Sequence, residues 1–194
     1  MGVGSARRDS PGGPRIVVVT GGASGLGEAI ANRFATEGDR VVVADADESR
    51  GRQVADNLTA AGLAAEAATV DVTSEGEVAA MLDAVAERHG RLDALVCTAI
   101  AVNLPGTLLC CKHGLPLLAK SGGGAMVLVG DANAALVSVA EHAAREHGAD
   151  GVRVNIVSPA SNDTGGFEVA ATVAFLCSPG AALINGAVIP LARP

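Results

Sequence analysis

The stretch Thr20-Gly21-Gly22-Ala23-Ser24-Gly25-Leu26-Gly27 decides the fold of this chain. It follows an apolar run and leads into a segment with Ile30 and Phe34 at helical spacing. Glycines permit a tight turn, and the N-terminus of a helix presents backbone N–H groups to an anion. A glycine-rich turn alone is a weak signal, but a strand before it and a helix after it are the context of a dinucleotide site. The stretch therefore predicts a pyrophosphate-binding turn, and the alternative is a glycine-rich turn without a ligand.

On both sides of this stretch, apolar runs alternate with helical periodicity, which is typical of a parallel sheet wound with helices. Ser74 and Glu77 predict a capping box, and Gly38, Gly62 and Gly90 lie where glycines end helices. Without an internal repeat or linker, the pattern predicts one α/β domain over residues 15–194, a Rossmann-like doubly wound parallel sheet in three layers. We predict strands at residues 15–20, 40–44, 65–71, 92–97, 125–129, 152–157 and 187–191.

Composition limits the classes of partner. The formal net charge is −7, and there is no run rich in Lys and Arg, which argues against nucleic acid and anionic membranes. The apolar runs are too short to span a bilayer. Residues 1–14 are rich in Gly, Pro and Ser and predict a disordered tail rather than a secretory signal. The cysteines lack metal-ligand spacing, so we expect no metal site, reduced thiols and a cytoplasmic protein; they are Cys97, Cys110, Cys111 and Cys177.

A single acidic residue favours one cofactor over another. The second predicted strand ends in Asp45, where a carboxylate can accept hydrogen bonds from both hydroxyls of an adenosine ribose. Beside the 2′-phosphate of NADP the same carboxylate would be a like charge, costing about 1–4 kcal/mol at ~4 Å. The sequence therefore predicts NAD as the cofactor, and the alternative is that Asp45 is a solvated turn residue.

The spacing Gly-x-x-x-Gly-x-Gly is the form used by the short-chain dehydrogenase/reductase family, which the chain resembles from residue 15 to residue 191. The resemblance implies that Asp71 and Val72 flank the adenine, although Asp71 could equally serve the next helix. In the run Cys97-Thr98-Ala99-Ile100, only Ala99 matches the family's Asn-Asn-Ala-Gly. Pro159 and Thr164 match its nicotinamide-side turn. The implied cofactor-binding residues are Gly21, Ala23, Ser24, Gly25, Leu26, Gly27, Asp45, Asp71, Val72, Ala99, Pro159 and Thr164.

The resemblance fails where the family places its reaction. Family members use a Tyr and a Lys four residues apart, and this chain contains no tyrosine. Asp131 stands at the position of the family's catalytic Ser, and Asn133 stands at that of its Lys. Asn103 matches the proton-relay Asn, although a capping role for it is equally open, and capping of the next helix is the expected role of Asp131. Stretches are missing after Ile100, before the helix that starts at residue 134, and after Thr164, which predicts a fold trimmed at its substrate side.

These observations predict an NAD-binding protein on an oxidoreductase scaffold whose hydride-transfer activity is weak or lost. One alternative is an active NAD-dependent alcohol/ketone oxidoreductase with a rewired site. Another is a non-catalytic interaction subunit of an intact relative. The resemblance also implies a homodimer or homotetramer formed through the helices at 104–118 and 134–147.

Overall fold

The computed structural model describes residues 13–23, 25–98, 104–160 and 166–192. Seven strands form one parallel sheet in the order β3-β2-β1-β4-β5-β6-β7. The strands are β1 (Ile16–Thr20), β2 (Arg40–Asp45), β3 (Ala65–Thr69), β4 (Ala94–Cys97), β5 (Gly124–Val129), β6 (Val152–Pro159) and β7 (Val188–Leu191). The helices are α1 (Gly25–Thr36), α2 (Glu48–Ala60), α3 (Glu75–His89), α4 (Leu104–Lys120), α5 (Ala134–His147) and α6 (Gly166–Leu176).

The central strands are apolar along their whole length because helices cover both faces of the sheet. All five residues of β1 are buried, and β1 pairs with β2 on one side and with β4 on the other. All seven predicted strands are confirmed, and their bounds differ from the predicted ones by one or two residues, as when β4 starts at Ala94 rather than at residue 92. β3 stops at Thr69, two residues before the predicted end, and β6 continues through Pro159.

Two apolar clusters separate the three layers. Ile30 and Phe34 of α1 pack with α2 and α6 on one face, together with alternate residues of the strands. Met126 and Leu128 of β5 point to the opposite face, where α3, α4 and α5 pack. The predicted three-layer, doubly wound architecture is confirmed.

The helix ends test the capping predictions. Gly38, Gly62 and Gly90 all have positive φ, at 95°, 79° and 73°, so these glycines end their helices as predicted. The capping box of α3 is wrong. Ser74 is the N-cap residue, but its side chain makes no capping hydrogen bond. The carboxylate of Glu77 reaches one turn further back and accepts the N–H of Asp71 at 2.8 Å.

Candidate nucleotide-binding site

The strand order places a crevice at one point of the sheet. The chain builds β1, β2 and β3 outward in one direction and then crosses to β4, on the other side of β1. In open parallel sheets, ligands bind at such a reversal, outside the carboxyl ends of the strands. The residues that follow β1, β2 and β4 therefore form the candidate site.

The glycine loop after β1 has a backbone that side chains would obstruct. Gly21 and Gly25 have φ values of 65° and 51°, in the left-handed region that favours glycine. A Cβ atom on Gly27 would lie 2.0 Å from the carbonyl oxygen of Gly21, and one on Gly22 would lie 2.7 Å from that of Val19. The loop therefore packs tightly against the first turn of α1.

The first turn of α1 supplies the polar groups of this loop. Gly25, Leu26 and Gly27 are its first three residues, and the first N–H groups of a helix have no partner inside the helix. Gly25 is exposed, Leu26 is half-buried and Gly27 is buried. Ser24 lies outside the described residues. The loop and the helix start together offer donors suited to a pyrophosphate.

Asp45, the last residue of β2, holds the glycine loop. One carboxylate oxygen accepts the N–H of Ala23 at 3.0 Å, and the other accepts the N–H of Asp47 at 3.0 Å. Asp45 is half-buried, so it is more than a solvated turn residue. A carboxylate offers about four acceptor positions, and these two hydrogen bonds leave capacity for ribose hydroxyls.

Asp71 and Val72, the residues expected beside the adenine, follow β3. The N–H of Val70 donates to the carbonyl of Asp45 at 3.0 Å, which joins this segment to the loop. The hydrogen bond from the Thr73 N–H, at 2.8 Å, lowers the pKa of the Asp71 carboxyl below its ordinary value. Asp71 is exposed, and Val72 is half-buried against the core. Asp71 thus organises the turn before α3, the alternative that the sequence left open, while remaining beside the candidate site.

Sequence reasoning missed the role of Thr98, which directly follows β4. Its hydroxyl donates to the carbonyl oxygen of Thr20 at 2.8 Å and lies 3.4 Å from that of Gly21. Thr98 therefore fixes the start of the glycine loop from the opposite side to Asp45. A polar residue immediately after a buried strand was the available signal. Ala99 and Asn103 lie outside the described residues.

The reaction-centre side differs from the expectation for Asp131. Asn133 is the N-cap of α5, and its side-chain oxygen accepts the N–H of Leu136 at 3.0 Å. Asp131 is exposed, and its carboxylate makes no hydrogen bond or ion pair within the described parts of the chain. The predicted capping role of Asp131 is therefore wrong, because the helix starts two residues later than that role requires.

Pro159, one of the expected cofactor-binding residues, belongs to β6. It is the last residue of that strand, is half-buried, and pairs in register with Leu191 of β7. The N–H of Ala132 donates to the hydroxyl of Ser158 at 3.4 Å, which joins the residues after β5 to β6. Thr164 lies outside the described residues.

Within the described ranges, no group of three His, Cys, Asp or Glu side chains could hold a metal ion. In the same ranges, no helix is long and apolar enough to cross a bilayer.

Comparison with known proteins identifies the family. The family model described as short chain dehydrogenase matches residues 15–100. Meso-2,3-butanediol dehydrogenase of Serratia marcescens is 33% identical, over 91% of this chain and 92% of the relative. Cis-4-hydroxycyclohexanecarboxylate dehydrogenase of Sinomonas cyclohexanicum is also 33% identical, over 90% of this chain and 94% of the relative.

A solved structure extends the likeness to the fold. The hydroxysteroid dehydrogenase from Escherichia coli superposes with a TM-score of 0.86 at 25% identity, covering 93% of this chain and 96% of that one. The alignment with the Serratia relative runs over 234 residues. Because this chain has only 194 residues, the relative contains segments that this chain lacks. With its fold, its glycine loop and these relatives, the chain belongs to the short-chain dehydrogenase/reductase family of oxidoreductases.

Proposed function

We propose that this chain binds NAD(H) at the glycine loop and that its hydride-transfer activity is weak or lost. The observation that carries the binding proposal is the carboxylate of Asp45, which is hydrogen-bonded to the loop N–H of Ala23 at 3.0 Å. That contact holds the carboxylate against the loop, where it would accept the ribose hydroxyls next to the pyrophosphate. The family binds nicotinamide dinucleotides, and the residues of this loop fit one.

The fit rests on space and on donors. Gly27 and Gly22 have no room for a side chain, and the exposed Gly25 starts α1. The N–H groups of that first turn would hold the pyrophosphate, and Asp45 would accept the ribose hydroxyls. The family resemblance implies that Pro159 and Thr164 would adjoin the nicotinamide and that Ala99 would line the cofactor site. When bound, the nicotinamide would accept or supply the hydride.

The choice of NAD over NADP follows from charge. A 2′-phosphate beside Asp45 would meet a like charge. Asp47 and Glu48, two and three positions further along the chain, add to the negative charge. Removing water from the pair would increase the repulsion, which is about 1 kcal/mol in bulk water and about 4 kcal/mol near a protein surface at ~4 Å. NAD(H) therefore binds more tightly than NADP(H).

The proposal of weak or lost activity rests on residue types. The chain has no tyrosine, so no phenol can act as general acid, and Asn133 is engaged as the cap of α5. Asn103 and the exposed Asp131 are the polar residues left at reaction-centre positions. Neither side chain carries a hydroxyl group, and Asn133 rather than a lysine stands at the position of the family's Lys.

Calorimetric titration with NAD, NADH and NADPH tests the binding proposal, and Asp45→Asn makes the test specific. The amide keeps one acceptor oxygen for the loop but removes the charge, so the ratio of NADPH to NADH dissociation constants falls. Asp83→Asn is the matched control, because it removes one carboxylate charge at an exposed position of α3. An equal loss of affinity for both cofactors in Asp45→Asn would show that Asp45 only holds the loop.

We also propose self-association through the helices at 104–118 and 134–147, which lie on the same face of the sheet. Leu108 of α4 is 42% exposed, so an apolar side chain is available there. Light scattering after size-exclusion chromatography should report a dimer or tetramer, and Leu108→Lys should shift the population toward monomer. Self-association without any nucleotide affinity would instead favour the interaction subunit.

A further inference from the structure

The candidate nucleotide site has two sides. In an open parallel sheet, a dinucleotide lies across the point where the strand order reverses, with one of its two nucleotides on each side. Here β2 and β3 lie on one side of β1, and β4, β5 and β6 lie on the other. The adenosine part of a ligand therefore belongs beside Asp45, at the end of β2. The nicotinamide part belongs beside the residues that follow β5 and β6.

The adenosine side has unused hydrogen-bonding groups. Each carboxylate oxygen of Asp45 accepts one backbone N–H at 3.0 Å and can accept a further hydrogen bond. The N–H of Gly22 donates to the carbonyl oxygen of Ala44 at 3.1 Å, which fixes the glycine loop to β2. The first N–H groups of α1, which starts at Gly25, have no partner inside the helix. This side therefore offers acceptors for ribose hydroxyls and donors for a pyrophosphate.

The turn after β5 uses its polar groups to hold itself in place. The N–H of Gly130 donates to the carbonyl oxygen of Val157 at 3.0 Å. The N–H of Asn133 donates to the carbonyl oxygen of Asp131 at 2.9 Å, and its side-chain oxygen accepts the N–H of Leu136 at 3.0 Å. These hydrogen bonds fasten the turn to β6 and to α5, so the groups that make them are already paired.

The end of β6 adds few donors. Pro159 has no backbone N–H, and the N–H of Ala160 donates to the carbonyl oxygen of Leu191 at 2.8 Å. The hydroxyl of Ser158 accepts the N–H of Ala132 at 3.4 Å. Pro159 and Ala160 therefore present no unpaired N–H to the carboxamide of a nicotinamide.

The same side is open to water. Asp131, residues 133–135 and Ala160 are all exposed, and the connection from β6 to α6 consists of residues 160–165 only. Binding sites usually bury about 70–90% of the surface of a small ligand, and an active site that closes on its ligand expels water. The described residues on this side thus give a nicotinamide ring neither polar partners nor shelter from water.

We propose that this site recognises the adenosine diphosphate part of its ligand and that the nicotinamide ring contributes nothing to the affinity. The inference rests on the NAD(H) site proposed above and names the class of ligand that this site accepts. That class is an adenosine 5′-diphosphate with both hydroxyls of the adenosine ribose free and with a neutral group on the second phosphate. ADP-ribose and NADH both belong to it.

Calorimetric titration of the unmodified chain with ADP-ribose and with NADH tests the proposal. The two ligands share the adenosine diphosphate part and carry the same net charge, and only NADH has the ring. One ordinary hydrogen bond changes an affinity by about two- to tenfold. We therefore expect the two dissociation constants to agree within about threefold. Tighter binding of NADH by more than about threefold would overturn the proposal.

The fluorescence of NADH reports the surroundings of its ring directly. The chain contains no tryptophan and no tyrosine, so emission from the protein does not interfere. We expect the emission maximum of NADH to stay unchanged at saturating protein, because the ring remains in water. A shift of the maximum to shorter wavelength would show that the ring enters an apolar pocket, and the proposal would be wrong.

Asp45→Asn locates the contact that the two ligands share. Loss of the carboxylate should weaken the binding of ADP-ribose and of NADH by the same factor, because both present the same ribose hydroxyls to it. Asp83→Asn removes a charge at an exposed position of α3 and is the matched control, which should weaken neither. A loss of affinity for NADH alone in Asp45→Asn would contradict the proposal.

These measurements separate the inference from the proposed function. If NADH binds and ADP-ribose binds more weakly by more than about threefold, the inference is wrong and the NAD(H) site stands. If neither ligand binds, the proposed NAD(H) site and the inference are both wrong. The titrations and the fluorescence measurement use the unmodified chain, so they do not depend on whether a variant folds.

Discussion

At the scale of single residues, the glycine loop depends on two different properties of glycine. Gly27 needs space, because a Cβ there would lie 2.0 Å from the carbonyl oxygen of Gly21. Gly25 needs a backbone conformation, because its φ is 51° although no atom of the described structure lies within 4 Å of its Cβ position. Alanine at Gly25 should therefore affect mainly nucleotide binding, and alanine at Gly27 should affect mainly the stability of the protein.

Gly25→Ala should weaken NAD(H) binding strongly while the fold persists. The added methyl meets no protein atom, and the left-handed conformation costs about 1–2 kcal/mol, but the methyl lies where backbone and pyrophosphate approach each other. Circular dichroism should show an intact fold and calorimetry a large loss of affinity. Gly76→Ala is the control, because it also has free space and lies on α3. If Gly25→Ala and the parent chain bind NAD(H) with equal affinity, the glycine loop does not contact the nucleotide.

Gly27→Ala should instead destabilise the protein itself. Its Cβ meets backbone atoms of Gly21 and Gly22 at 3.0 Å or less, and backbone cannot rotate away as a side chain can. Forced overpacking of this kind costs about 1–3 kcal/mol, so the thermal midpoint should fall clearly below that of Gly25→Ala. A midpoint equal to that of Gly25→Ala would show that the loop can relax around the methyl.

At the scale of elements, helix α5 shows how a shortened connection changes the role of a residue. Only four residues separate the end of β5 from the start of α5, so a residue of this short connection lies at the N-terminus of the helix. Asn133 is consequently used for capping.

Asn133→Ala should therefore lower the free energy of unfolding by about 0.5–2 kcal/mol, the usual cost of losing an N-cap. Asn133→Ser should restore most of the loss, because serine also caps. Asp131→Ala should have little effect on stability, because its carboxylate is exposed and unpaired within the described residues. Urea denaturation measures all three. Greater destabilisation by Asp131→Ala than by Asn133→Ala would reverse the two roles.

The edge strand β3 is fastened to α3 by a pH-dependent contact. Glu66 of β3 is hydrogen-bonded to His89 at 2.7 Å and accepts from Arg88 at 2.6 Å. Burial tends to raise the pKa of Glu66, but these two hydrogen bonds outweigh it and lower the pKa below 4.5. A carboxyl group whose pKa is lowered by folding stabilises the folded state at pH values above its unfolded pKa. This contribution is lost as the pH falls through the folded pKa.

Glu66→Gln should therefore lower the free energy of unfolding at neutral pH by about 0.2–1 kcal/mol, a small value because Arg88 is largely exposed. The difference between the parent chain and the variant should shrink as the pH falls below 4.5. Urea denaturation over a pH series measures this difference in the free energy of unfolding. Glu87→Gln is the control, because Glu87 is exposed on α3, the helix that carries Arg88 and His89. A difference that stays constant into acid would mean that the carboxylate charge contributes nothing.

At the scale of the whole molecule, the strands of the sheet were predictable from the sequence. The contacts among the residues that follow the carboxyl ends of the strands were only partly predictable. Strands such as β1 are buried on both faces, so their apolar runs are visible without any tertiary contact. Asp45 was identified for the same reason, as the first charged residue after such a run. The hydrogen bonds of the Thr98 hydroxyl and the contact between Glu66 and His89 depend on which elements become neighbours. No local pattern encodes those contacts.

For the molecule as a whole, we predict that dehydrogenase turnover is negligible, because the chain lacks the phenol that the family uses as a general acid. Loss of one general acid or base usually reduces a rate by about 10²–10⁴-fold, and here the phenol is absent and Asn133 caps a helix. Purified protein mixed with NADH and generic ketones, or with NAD and alcohols, should show no change in nicotinamide absorbance above that of a Gly25→Ala control. Positioning of the cofactor alone can leave a residual rate, so the comparison is made at saturating cofactor.

Robust turnover abolished by Asp131→Ala or Asn103→Ala would reveal a rewired active site, because those are the two polar positions that remain. Turnover unaffected by either variant or by Gly25→Ala would come from a contaminating enzyme, since it would not depend on this chain's own loop.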